Sequence, residues 1–162
     1  MTGIDARLEQ KIGFDRIRTI ISDKCSTLYA AERAATETFS TKASQIRTRL
    51  LLTDEMRLIM MFEDSFPSGG FIDCIDFLKP LESTSAAIDI LSLRKLKTML
   101  ETLHKVTGFF EDVKDGVYPN LKRMSAPVMG FPEAQRRIEG ILDRYGDIKD
   151  TASDELYEIR RS

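Results

Sequence analysis

Apolar residues return every three or four positions along most of this chain, the period of an α-helix with one buried face. Phe14, Ile17 and Ile21, with Ile20 beside them, predict a helix over about 8–24. Leu28, Ala31 and Ala35 predict a second over about 27–38, where the small alanines suit a close helix contact. Ser40 is placed to cap a third, over about 41–63, whose apolar positions Ala43, Ile46, Leu50, Leu52, Met56 and Ile59 drift around the helix. Pro67-Ser68-Gly69-Gly70 is a break. Asp73 is placed to cap a short helix reaching Leu78, and Pro80 to end it.

Ser83-Thr84-Ser85 is read as the opening of the longest periodic segment, over about 86–113. Leu93, Leu96, Leu100, Leu103 and Phe110 recur there with heptad-like spacing, and Thr107 fills the remaining slot. Some 28 helical residues span about 42 Å, so the pattern predicts an elongated bundle around one long helix. Asp115-Gly116 and Tyr118-Pro119 mark a second break, followed by a helical turn over about 120–124. Pro132 suits the first position of a helix over about 132–143, with Ile138, Ile141 and Leu142 on its apolar face. Strands are limited to two very short candidates, 70–72 and 147–149. The fold class expected is all-α, in a single domain covering 1–162.

The last twelve residues predict a further helix. Thr151 or Ser153 supplies its cap, Asp154 and Glu155 occupy its first turn, and Leu156 and Ile159 begin an apolar stripe. The chain ends at Arg160-Arg161-Ser162 without a stop signal, so the expectation is a helix interrupted part-way and a chain cut from something longer.

Composition narrows the function classes. The 162 residues are 42% hydrophobic and 31% charged, with a formal net charge of −2, and the pI is about 5.6. That balance is globular and argues against a basic nucleic-acid module as a description of the whole domain. Cys25 and Cys74 are far apart and read as free thiols. Without a leader or a long apolar run, the expected location is the cytoplasm, with no membrane partner.

Chemistry is sparse. His104 is the one histidine; Glu101-x-x-His104 has di-iron spacing but lacks the second motif such a site requires. One histidine and two distant cysteines do not make a zinc site. Ser68-Gly69-Gly70 lacks the frame of a phosphate-binding loop. Asp73-x-x-Asp76 reads as a solvated helix face, and no hydrolase triad is assembled. No catalytic, metal or cofactor residue is expected in this chain. Met56, Met60 and Met61 read as soft core filler. Basic clusters fall at Arg94-Lys95-x-Lys97, Lys122-Arg123, Arg136-Arg137 and Arg160-Arg161, each with acids nearby. Arg160 and Arg161, on the interrupted helix, are the candidate DNA contacts.

Several segments carry a resemblance. Glu9-Gln10-Lys11-Ile12-Gly13-Phe14-Asp15-Arg16-Ile17-Arg18, then Cys25, resembles the opening of one bacterial branch of the MutS family, the branch linked to suppressing recombination. Thr38-Phe39-Ser40, Leu52-Thr53-Asp54-Glu55-x-Arg57 and Ile90-Leu91-Ser92-Leu93-Arg94-Lys95 continue it in order. The most specific match runs from Ile141-Leu142-Asp143-Arg144-Tyr145-Gly146-Asp147-Ile148 to Arg161-Ser162, a stretch that in this branch leads into a long lever helix. The resemblance covers essentially the whole chain. It implies an N-terminal helical core segment, with the lever beginning at about 151–162, of a longer homodimeric protein. That parent would bind ATP with Mg²⁺ and branched or mismatched DNA, and it would carry a P-loop ATPase and in many members a nuclease domain. None of those motifs lies in this chain, so no such residue is carried over.

A core segment of that kind acts as a transmitter, through rigid packed helices. The residues expected to form its structural core are Leu93, Leu96, Leu100 and Leu103 on the long helix and Leu156 and Ile159 on the lever start. The competing expectation is a free-standing helical adaptor that binds a partner protein through its Met-rich or C-terminal surface.

Overall fold

A computed structural model describes residues 6–38, 40–83 and 86–161. The described residues fold into helices, a 3₁₀ turn and connecting loops, with no sheet. They group into two compact units, one ending at Ile46 and the other running from Arg47.

In the first unit the expected helix over 8–24 is divided into α1 (Ala6–Lys11) and α2 (Phe14–Lys24). Gly13 sits between them at φ +74°, a left-handed conformation that a helix interior does not accept and glycine adopts without a Cβ penalty. The Arg18 guanidinium bridges the break. Its Nη1 and Nη2 donate to the two Glu9 carboxylate oxygens at 2.7 and 2.8 Å, and its face lies 4.9 Å from the Phe14 ring centre. Thr27 caps α3 (Leu28–Thr36) by accepting from the Ala30 amide, and α3 packs back along α2. The Ser22 hydroxyl ties the two by donating to the Ala31 carbonyl at 3.0 Å. No residue of α2 or α3 is buried, so this unit is a helical hairpin without a closed core.

Helix α4 (Ala43–Phe62) contributes most of its length to the second unit. Ser40 does accept from the Lys42 amide just ahead of it. Further on, the Asp73 carboxylate accepts from the Ile75 amide at the start of α5 (Ile75–Leu78). The α-helix ends at Leu78 as expected ahead of Pro80, and the proline enters a 3₁₀ turn, Lys79–Glu82. The long helix α6 (Ile90–Asp112) starts later than expected. Asp89 caps it, accepting from the Leu91 and Ser92 amides at 2.9 and 3.0 Å, whereas Thr84 and Ser85 lie outside the described residues. The chain continues through α7 (Pro119–Ser125), α8 (Pro132–Ile141) and α9 (Asp154–Arg161). Of the two strand candidates, 70–72 is loop, and 147–149 provides one residue of an isolated antiparallel bridge, Leu142 to Ile148.

The closed core of the second unit is Ile59, Phe109, Phe110 and Leu121, with Leu52, Met56, Phe66, Val106, Val113 and Tyr118 packed around it. Phe66, Phe109 and Phe110 meet edge to face, and Tyr118 stacks on Phe109 at 6.4 Å between ring centres. Glu55 is buried here, at 8% exposure. Its carboxylate accepts from the Asn120 and Leu121 amides at 3.1 and 2.8 Å and from Asn120 Nδ2, which satisfies the first turn of α7 from another helix.

This corrects the expected core. On α6 the buried positions are Thr102, Phe109 and Phe110, while Leu93, Leu96, Leu100 and Leu103 are only half-buried. The helix serves two partners on different faces. Its C-terminal end carries the aromatic cluster, and its leucine stripe meets the shallower α8 side, where Leu100, Leu103 and Thr107 line a cleft with Phe131 and Pro132. Leu156 is half-buried, and Ile159 is 72% exposed, outside any core.

Candidate functional site

The most organised polar feature of the second unit is the segment joining α8 to α9. Leu142, buried at the end of α8, opens it. Asp143 turns the chain: its carboxylate accepts from the Tyr145 and Asp147 amides at 2.8 and 2.9 Å, and its own amide donates to the Asp147 carbonyl at 2.8 Å. The Asp147 amide, followed by those of Tyr145 and Gly146 and by the Lys149 charge, holds the Asp143 carboxyl below the usual range against partial desolvation. The Lys149 amide then donates to the Ile141 carbonyl at 2.9 Å, closing the bridge beside Leu142 and Ile148.

Arg94, in the first turns of α6, reaches this turn from 52 residues away in sequence. Its Nε donates to the Gly146 carbonyl, and its Nη2 lies 2.7 Å from the Asp147 carboxylate. Gly146 stands at φ +85°, and a Cβ there would come within 3.2 Å of the Arg94 side chain. The position therefore favours glycine for its conformation, and a side chain there would also push the Arg94 stem aside by a few tenths of an ångström. Beyond it, Asp150 pairs with Arg160 of α9, and the Ser153 hydroxyl accepts from the Leu156 amide at 3.2 Å. Ser153, rather than Thr151, is the capping side chain.

The arginines and lysines singled out in the sequence are mostly engaged. Arg136 and Arg137 both pair with Glu133, Lys97 pairs with Glu101, and Lys122 pairs with Asp115. Arg123 donates to the Asn120 side chain. Arg160, the first of the two candidate DNA contacts, is held by Asp150; the Arg161 side chain lies outside the described residues. His104 is exposed on the rim of an open groove of about 600 Å³, beside Glu63, Lys105 and Asp112. Among the described residues no three His, Cys, Asp or Glu side chains come together as a metal site. Cys25 and Cys74 are free thiols, and burial, with the Asp73 charge beside it, pushes the Cys74 thiol up. No described helix is long and apolar enough to cross a membrane.

Two residues that matter here were not singled out as sites in the sequence. Arg94 stands in the sequence only as part of the basic cluster Arg94-Lys95-x-Lys97, and nothing local marks its distant partner. Glu55 did leave a signal, because it stands three residues after Leu52 and four before Ile59, inside an apolar stripe.

Fold and site thus define an all-helical chain whose principal polar assembly holds one helix against a turn. No family model matches the sequence. It is similar along nearly its whole length to proteins named endonuclease MutS2. The identity is 24% to that of Brevibacillus brevis over 98% of this chain, 26% to that of Thermomicrobium roseum over 97%, and 26% to that of Alkaliphilus oremlandii over 91%. The chain spans about a fifth of the length of these relatives, at 20%, 20% and 19%. It is similar, then, to a segment of MutS-family endonucleases.

Proposed function

We propose that this chain is a non-catalytic helical core segment of a MutS-like DNA-processing ATPase, with α9 as the start of its lever helix. The observation that carries the reading is the extent of the similarity: more than nine-tenths of this chain matches, in one alignment, a fifth of each relative. The helical architecture supports it, because Arg94 ties α6 to the turn before α9, a contact through which a change at one end would bias the other. In this reading ATP and Mg²⁺ bind elsewhere in the longer, homodimeric protein, and no residue of this chain is assigned to them. DNA is a partner of the whole protein. Within the basic clusters, Arg94, Lys97, Lys122, Arg136, Arg137 and Arg160 are each paired with an acid, and the net charge of −2 gives the segment no excess of cations to favour DNA.

The test has two arms. The purified chain is expected to show no ATPase or nuclease turnover above background, and DNA binding that is weak and lost as salt rises. Turnover abolished by a point substitution within this chain, or a micromolar DNA complex at physiological salt, would overturn the reading. The second arm is the mass of the protein detected in its cells by an antibody raised against this chain, read together with the downstream reading frame. A long polypeptide with a Gly-x-x-x-x-Gly-Lys-Ser/Thr motif is expected; an 18.4 kDa product favours the helical adaptor instead.

A further inference from the structure

We propose that residues 143–150 are a latched joint, and that Arg94 is the positioning residue through which α6 sets the direction in which α9 departs. The inference deepens the transmitter reading above and rests on it only for its consequence in a longer protein. Burial contributes little to holding α9: none of its described side chains is buried, Leu156 is half-buried and Ile159 is 72% exposed. The joint ahead of α9 is held from both sides. Asp147 is gripped by Arg94 of α6, and Asp150, three residues on, by Arg160 of α9. The Arg94 fork uses two donors on two different groups, a backbone carbonyl and a carboxylate, so it fixes orientation as well as distance. The Arg94 stem lies close against the turn, within 3.2 Å of where a Cβ on Gly146 would stand. Both ion pairs are solvent-exposed, with the Asp147 side chain at 72%, so the latch weakens as ionic strength rises.

Hydrogen exchange followed by mass spectrometry on the full chain tests this in wild type, Arg94→Ala and Asp147→Asn. The amides of Asp147, Lys149 and Tyr157 are expected to exchange about tenfold faster in Arg94→Ala, the equivalent of one charge-assisted hydrogen bond. Asp147→Asn, which keeps the Gly146 contact, is expected to fall between the two. Protection around Phe109, Phe110 and Leu121 is expected to stay unchanged, and 1 M salt to narrow the difference between wild type and variants. Unchanged exchange over 143–160 in Arg94→Ala would overturn the proposal. So would equal acceleration over 105–123, which marks Arg94 as a general staple of the unit. Neither outcome bears on whether the longer protein is an ATPase, which the reading frame decides separately.

Discussion

Glu55 ties α4 to the start of α7 from a buried position in the second unit. A buried carboxylate that accepts three hydrogen bonds from the start of α7 has no spare partner if one oxygen becomes an amide. Glu55→Gln turns a donor toward the Asn120 or Leu121 amide and is expected to lower stability by about 2–3 kcal/mol, measured by urea unfolding. Gly146→Ala is expected to cost about 1–3 kcal/mol, because the methyl group meets both a left-handed backbone and the Arg94 stem. Asp89 and Asp143 act through charge. Hydrogen bonds from the Ser92 side chain and amide lower the proton affinity of Asp89, as backbone amides lower that of Asp143. The unfolded chain therefore takes up protons more readily than the folded one as pH falls. The stability these carboxylates contribute is complete above about pH 4 and is lost as the pH drops through their depressed folded values. Thermal melts at pH 6 and pH 3 should show a smaller acid loss for Asp89→Asn and Asp143→Asn than for wild type.

At the scale of elements, α6 illustrates why periodicity names a helix better than its buried face. Its heptad-like leucines are real, yet the side chains that close the core are Phe109 and Phe110 near its end. Phe109→Ala is expected to cost about 3–5 kcal/mol, and Leu100→Ala, which already faces a cleft, about 1–2 kcal/mol. Equal losses in denaturant titrations would restore the leucine stripe to the core. Helix α9 lies at the other extreme: a sound cap and an acidic first turn, but only Leu156 even half-buried.

For the whole molecule, the division at Ile46 separates a unit with a closed core from one without. Substitutions in the first unit should therefore report separately. Ile17→Ala is expected to leave the main calorimetric transition in place, where Phe109→Ala lowers it; a matched shift would show that the two units unfold as one.

The sequence by itself determined the helices. Their apolar period, the Pro and Gly breaks at 67–70 and 115–119, and caps such as Asp73 and Ser153 are local features, set by side chains within one turn of where they act. The ordered resemblance to a MutS-family segment was likewise written in the residues, and the similarity to endonuclease MutS2 proteins agrees with it. Tertiary structure alone decided which helix faces are buried, that Glu55 caps a helix more than 60 residues away, and that Arg94 meets Gly146 and Asp147 rather than solvent. Those contacts join residues far apart in the chain, and their free energy depends on burial and on the geometry of partners that no local pattern specifies.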